Sequence, residues 1–258
     1  MSERACPSAG VAALGSCAAI SGDPCDCAAS PVPSISIIIP VLNEEAVIEG
    51  LLAQLRPLNA QCEIIFADGG STDRTLELIG DEFRIVCAPR GRGRQLNAGA
   101  QASSGEVLFF LHADSELPPD PLGEIHRVMR SYQVGCFGVA FRSRNFFMLT
   151  CRIMSNLRCY VRRIMFGDQG IFVTRELFFQ MGGFPDLPLM EDYQFSLNLR
   201  ARGCRIGATR HRIYSSPRRF GPTTSSKLRT MYHMAHLRKL YRKGVSAHDL
   251  VRAYADVR

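Results

Sequence analysis

From Ser34 onward, short continuous apolar runs alternate with longer segments in which apolar residues recur every three or four positions. SISIIIP (34–40), EIIFAD (63–68), RIVCA (84–88) and EVLFFL (106–111) lack the in–out alternation of a half-exposed strand and predict strands buried on both faces. Between them, EEAVIEGLLAQL (44–55), TDRTLELI (72–79) and RGRQLNAGAQAS (92–103) have helical spacing. Such an order predicts an α/β domain: a doubly wound, mostly parallel sheet with helices on both faces and right-handed crossovers. Past residue 133 the alternation loosens. VGCFGVAF (134–141) and IFVT (171–174) read as strands, Asn145 to Phe166 as a long helix, and a further helix opens at Glu191. Ser225 to Arg258 predicts two amphipathic helices separated at Gly244.

The domain is expected to span residues 34–222, followed by a basic helical segment over 223–258. Residues 1–33 are rich in Ala, Ser, Gly, Pro and Cys without apolar periodicity, so a disordered extension is expected there. Its VAALGSCAAI stretch follows a single Arg4 and lacks the basic flank and cleavage site of a secretory leader. No apolar run approaches the roughly 20 residues of a membrane span, and the expected location is cytoplasmic, with membrane association left open. In the long helix, Phe146, Phe147, Met148, Ile153, Met154, Leu157 and Ile164 suit a membrane surface, with Arg152, Arg158, Arg162 and Arg163 reaching for phosphates. Ordinary packing of a lid or insertion against the domain is the commoner arrangement.

Composition narrows the partners. The 258-residue chain carries 31 Lys and Arg against 24 Asp and Glu, a net charge of +7, which favours polyanionic ligands such as nucleotides or lipid phosphates. It has no Trp and no RNP, zinc-finger or helix-turn-helix pattern, so nucleic acid is not expected. Of the 10 cysteines, Cys62, Cys87, Cys136 and Cys204 fall in or beside apolar runs and read as reduced core residues. Cys25 and Cys27 lack the second pair that a structural zinc site needs.

Ligands of a doubly wound sheet bind beyond the carboxyl ends of its strands, and four clusters fall there. In PVLNEE, Pro40 closes a strand while Asn43 and Glu44 open a helix, a pattern that strand termination and capping also explain. In DGGSTD, Gly69 and Gly70 allow a close backbone approach to a ligand and Asp68 is placed to accept hydrogen bonds from it, whereas Asp73 is explained by a helix start. In HADSELP, Asp114 ends the most apolar strand, a setting suited to a hard divalent cation. In LMEDYQF, Glu191 and Asp192 open a helix behind GGFP, where acids also satisfy the helix dipole.

The order of these clusters is similar to that of the family 2 glycosyltransferases of the GT-A fold, and the resemblance covers Ser34 to Phe220. GRGRQ (91–95), LHAD (111–114), GDQG (167–170) and LMED (189–192) resemble a subgroup associated with arsenosugar biosynthesis or carotenoid-type acceptors. The resemblance implies a nucleotide-sugar donor, foremost a UDP-sugar, and a small-molecule or lipid-linked acceptor. Pro40, Asn43, Glu44, Asp68, Gly69 and Gly70 would line the nucleotide pocket, with Arg90, Arg92 and Arg94 offering phosphate contacts. Asp114, with His112, would hold Mn²⁺ or Mg²⁺; Asp192, beside Glu191, would serve as the base of an inverting transfer. Arg218 and Arg219 would stand for a late basic motif near the diphosphate. His112 departs from the usual acidic pair, so either the preference shifts toward Mn²⁺ and later metals or His112 contacts the donor directly. Asp168 and Gln169 are expected either to face the sugar or acceptor or simply to form a turn. The rival readings are a sugar-phosphate nucleotidyltransferase, whose glycine-rich loop should follow the first strand, and a non-catalytic nucleotide or lipid-phosphate binder.

Overall fold

The structure, a computed structural model, describes residues 32–142, 146–215, 223–246 and 249–252. The expected disordered extension, Cys25, Cys27, Arg218 and Arg219 lie outside the described residues.

The strands are β1 (Ile35–Val41), β2 (Glu63–Asp68), β3 (Arg84–Cys87), β4 (Val107–Phe110), β5 (Ser115–Glu116), β6 (Val134–Ala140), β7 (Ile171–Thr174) and β8 (Ile206–Ser215). The helices are α1 (Glu45–Leu55), α2 (Thr75–Ile79), α3 (Arg92–Ala102), α4 (Pro121–Met129), α5 (Phe146–Arg162), α6 (Arg175–Gln180), α7 (Glu191–Ala201) and α8 (Thr224–Arg242). One eight-stranded sheet has the order β3-β2-β1-β4-β7-β6-β8-β5. The half built from β1 to β4 is wholly parallel; β7 then joins antiparallel to both β4 and β6, and β6 and β8 are parallel. The α/β fold with a mostly parallel sheet is therefore present, with its antiparallel pairings confined to the later half.

Why the central strands read as unbroken apolar runs is visible in the packing. Ile37, Ile39 and Phe109 enter a core layer with Ile48, Leu51 and Leu52 of α1 and Ile125 of α4. Their chain neighbours Ile38, Leu108 and Phe110 point the other way, to Leu96 and Ala100 of α3, Phe178 of α6 and Phe195 of α7. Each residue of these strands thus leaves water, which at about 25 cal/mol per Å² of apolar surface is the main favourable term for the fold. Gly99 lets α3 come this close: a Cβ there would overlap Ile38. The Cys expectation holds for Cys136, which is buried, but not for Cys87, which is exposed because β3 is the edge strand.

α8 ends before Gly244, whose φ of +83° stops the helix as predicted, and residues 249–252 are again helical. Leu237 of α8 and Leu250 are fully buried with Ile164, Met190 and Tyr193. α8 therefore braces the entry to α7, where the acidic pair sits.

A buried carboxylate ties α4 to β8. Glu124 accepts hydrogen bonds from Arg127 (2.8 Å), from the Arg210 amide (2.8 Å) and pairs with His211 Nδ1 (2.9 Å). Burial raises its pKa, but these bonds outweigh it and hold the group at about 2, against an ordinary value of 4.5. A depressed carboxylate pKa contributes stability that is present above pH 4.5 and lost as pH falls toward about 2. Urea denaturation across that window should show wild type losing its advantage over Glu124→Gln as the pH falls; a difference that stays constant with pH would refute the assignment.

Candidate active site

The loops after β1 and β2 are joined by reciprocal hydrogen bonds. Asn43, in the left-handed region at φ +56°, donates its amide to Ser71 Oγ (3.1 Å) and accepts from the Thr72 amide through Oδ1 (2.8 Å). The Glu44 amide donates to Thr75 Oγ1 (2.8 Å) and the Glu45 amide to Asp73 (3.1 Å), while the Arg74 amide returns a bond to Glu45 (3.1 Å). The amides at the start of one helix are thus met by side chains from the loop preceding the other. Asp68 is buried at the tip of β2 and accepts from the amides of Gly70 (2.9 Å) and Ser71 (3.0 Å) and from Ser71 Oγ (2.6 Å). Its carboxylate shapes the GGS turn, in which Gly70 takes φ +94°. Pro40 and Glu44 are half-buried at this rim, with Asn43 and Gly70 exposed.

Gln95 had no assigned role in the sequence, yet it organises this end of the sheet. Buried on α3, its Nε2 donates to Val41 O (2.8 Å) and Ala67 O (2.9 Å), carbonyls at the ends of β1 and β2. A Cβ on Gly69 would lie 2.9 Å from the Gln95 amide, so glycine is required there by close approach. Asn97, one turn-face away, exchanges both bonds with Phe184, donating to its carbonyl (2.8 Å) and accepting from its amide (2.9 Å). The signal for these roles was a helix rich in glycine, a poor helix former, that nonetheless carries amides among its buried positions.

The arginines of GRGRQ take different partners. Arg94 makes a two-pronged pair with Asp186 (2.7 and 2.8 Å) on the surface, and Arg92 lies 3.5 Å from Glu191. Arg90 is exposed. Glu191 is buried against α3; desolvation first, and the neighbouring Asp192 charge second, raise its pKa, with Arg92 partly offsetting them. It therefore faces α3 and is directed away from the contacts that Asp192 makes.

Asp192 turns toward GDQG. Its Oδ2 accepts from the Gly167 amide (2.7 Å) and its Oδ1 from the Tyr193 amide (2.6 Å). His112 meets it there: a Cβ on Gly167 would fall 2.5 Å from His112 Nε2 and 3.5 Å from Asp192 Oδ2. LHAD, GDQG and LMED, distant in sequence, thus converge on one glycine. Asp114, half-buried, follows two residues after His112, before β5 pairs with the end of β8. Among the described residues no group of three or more His, Cys, Asp or Glu side chains could by itself enclose a metal ion.

For Gln169 the turn reading holds and the ligand-facing one does not. It is fully buried, its Oε1 accepting from the Phe166 amide (3.1 Å), Arg158 (3.3 Å) and Cys159 Sγ (3.2 Å). The side chain completes the GDQ turn from inside instead of facing a ligand. Nearby, Arg158 sits 4.1 Å and Arg238 5.7 Å from the Phe166 ring centre, and Tyr193 stacks on the same ring at 5.8 Å. A depression of about 640 Å³, lined by residues including Glu106, Thr174 and Arg175, lies by the amino end of β4. It contains none of these residues, and the strand-end convergence is the better candidate on chemistry.

Comparison with known proteins bears on family and fold. Residues 36–184 match the family described as glycosyl transferase family 2. A stretch of 118 residues is 33% identical to the undecaprenyl-phosphate 4-deoxy-4-formamido-L-arabinose transferase of Pseudomonas paraeruginosa (strain DSM 24068 / PA7), covering 40% of this chain and 35% of that protein. The chain thus spans about a third of the length of such curated relatives. The structure resembles glucosyl-3-phosphoglycerate synthase from Mycobacterium tuberculosis in complex with Mn²⁺, uridine-diphosphate and glucosyl-3-phosphoglycerate, with TM-score 0.56 and 21% identity over 83% of this chain and 81% of that one. It also resembles the mannosyltransferase PcManGT from Pyrobaculum calidifontis in complex with GDP-Man and Mn²⁺, with TM-score 0.57 and 20% identity over 88% and 70% of the two chains. At these identities the likeness establishes the GT-A fold.

Replacing Gln95 by Leu removes the side-chain donors to Val41 O and Ala67 O and puts an apolar group against both carbonyls, leaving Val41 O its bond from the Gly69 amide (3.0 Å). The expected loss is about 2–3 kcal/mol of stability, read from the midpoint of urea denaturation; an unchanged midpoint would show that the clamp contributes nothing.

Proposed function

Because the chain belongs to glycosyl transferase family 2, we propose that this glycosyltransferase moves a sugar from a nucleotide-diphosphate donor, foremost a UDP-sugar, to a hydroxyl acceptor with inversion at the anomeric carbon. The acceptor is a small molecule or a lipid-linked one. The observation that carries the reading is the convergence of Asp192, Gly167 and His112 at the mouth of β4.

Asp192 acts as the base. Two backbone amides fix its carboxylate, and each carboxylate oxygen has a further lone pair for an incoming hydroxyl. The acceptor O–H proton passes to Asp192 as the acceptor oxygen bonds to the anomeric carbon. The bond from that carbon to the diphosphate oxygen breaks on the opposite face, and the nucleoside diphosphate leaves with the electron pair. Pro40, Asn43, Glu44, Asp68, Gly69 and Gly70 form the nucleotide rim, and Asp68 serves it by holding the GGS turn. Arg90 is the cation of GRGRQ placed for a phosphate, since Arg94 is engaged by Asp186. Glu191 positions α7 through Arg92 and α3.

The donor set at the end of β4 fits a divalent cation bound jointly with its substrate. Asp114 offers carboxylate oxygen and His112 an imidazole, and ions of this kind complete their shell with substrate phosphates without needing a protein cage. An imidazole favours Mn²⁺ over Mg²⁺. When bound, such an ion supplies charge stabilisation for the departing diphosphate. The family membership favours transfer over the nucleotidyltransferase reading, and turnover itself separates it from the non-catalytic binder.

Two outcomes test the proposal. Asp192→Asn should lower kcat by about 10²–10⁴-fold while donor affinity, measured by titration calorimetry, stays within about twofold; equal loss of both would make Asp192 a donor-binding group. A true donor with Mn²⁺ at about 100 times its Kd should stabilise the wild type by roughly 2.7 kcal/mol. Asp114→Ala should lose the Mn²⁺-dependent part of that shift, and a shift that survives intact would remove Asp114 from the metal site.

A further inference from the structure

We propose that the outward face of α5 docks on an anionic lipid bilayer. A helix covering a sheet ordinarily turns its apolar stripe inward and its charges to water. α5 also presents a second apolar stripe outward. Leu149, Ile153, Leu157 and Val161 recur at every fourth residue and are 39, 54, 50 and 69% exposed, with Met154 beside them at 58%. Spacing of four puts them on one side of the helix over more than three turns. The opposite side carries buried Met148 and Cys159, and Asn156, which bonds the amide (2.9 Å) and carbonyl (3.1 Å) of Val139 on β6. Of the residues that suited a membrane in the sequence, Met148 and Ile164 are therefore core, and Ile153, Met154 and Leu157 are surface.

Charge selects the occupant. Neither α5 nor α8, which pack against each other, contains an Asp or Glu. Arg162, Arg163, Arg229, Lys239, Arg242 and Lys243 are all exposed on or just after these helices. An exposed apolar stripe on a pair of packed helices that carry exposed cations and no acids is what an anionic interface favours: aliphatic side chains enter the acyl boundary and the cations meet lipid phosphates. A second copy would bring like charges together across the same face, which disfavours self-association. No described helix is long and apolar enough to cross a membrane, so the contact lies along the surface. This inference is independent of the transfer chemistry.

Flotation of the full chain with vesicles tests it. Wild type should partition onto phosphatidylcholine vesicles containing phosphatidylglycerol at least about tenfold better than onto phosphatidylcholine alone. Leu157→Glu and Ile153→Glu, both at exposed positions, should each lower that partition by about tenfold or more. Leu157→Ser serves if a thermal melt shows that the Glu variants fold poorly. Equal binding to the two vesicle types, or variants that float like wild type, would overturn the proposal. So would a wild-type dimer that Leu157→Glu dissociates and that ignores vesicles, since it would assign the face to a second copy. Donor-induced melting shifts in the same variants report separately on the nucleotide site and should be unchanged.

Discussion

The amide of Gln95 reaches the last carbonyls of two parallel strands at once, and the geometry of the candidate site depends on that fork. At the sheet's carboxyl edge the Val41 carbonyl, which also accepts from the Gly69 amide (3.0 Å), and the Ala67 carbonyl lie within reach of one helix side chain, and buried carbonyls of this kind need donors. One side chain with two N–H groups meets both. Because Gln95 is part of α3, the same contact sets the helix at a defined height over β1 and β2. Asn97 then carries that position to Phe184, and Gly93, which a Cβ would push 2.9 Å from Pro185 O, lets the segment before α7 lie flat on the helix. Two sides of the site, the nucleotide rim and the helix of the proposed base, are thereby referenced to one rigid element.

The acids of the first two motifs divide their work between scaffold and rim. Asp68 and Asp73 spend their oxygens on backbone amides and hydroxyls of the neighbouring turns. Charge-assisted bonds of that kind are about twice as strong as neutral ones, and they hold exposed loops in register without apolar burial. Asp192 is restrained in the same way by two amides, but it shares a glycine, Gly167, with His112 of the β4 end. The distinction between the structural carboxylates and the one proposed as base is one of neighbours, since all are fixed by N–H donors.

α8 and the segment 164–166 complete the support. Tyr241 donates to Gln194 on α7 (2.6 Å), and Tyr193 packs edge-on against Tyr241 while stacking on Phe166. The basic helices therefore brace the acidic pair on one side while α5 exposes aliphatic residues on another.

Period and polarity along the chain determined the α/β class and most elements, because strands buried on both faces must be continuously apolar and their crossover helices must be amphipathic. Strand ends also singled out Asp68, Asp114 and the Glu191–Asp192 pair as candidates, since chemistry in such a sheet gathers there, whereas the roles given to His112 and Asp192 came from the family resemblance. Tertiary structure alone decided the rest. Which carboxylate turns toward Gly167 and which turns toward Arg92 depends on α7 being placed by Asn97, 87 residues away from its partner Phe184. Gln95 and Gln169 were legible as polar residues in motifs, but an amide's partners are set by backbone carbonyls and amides that carry no sequence signature. The outward stripe of α5 was legible only in part, in Ile153, Met154 and Leu157, for the same kind of reason: a helical repeat reveals that an apolar face exists, and only packing against β6 reveals which residues are left to the solvent.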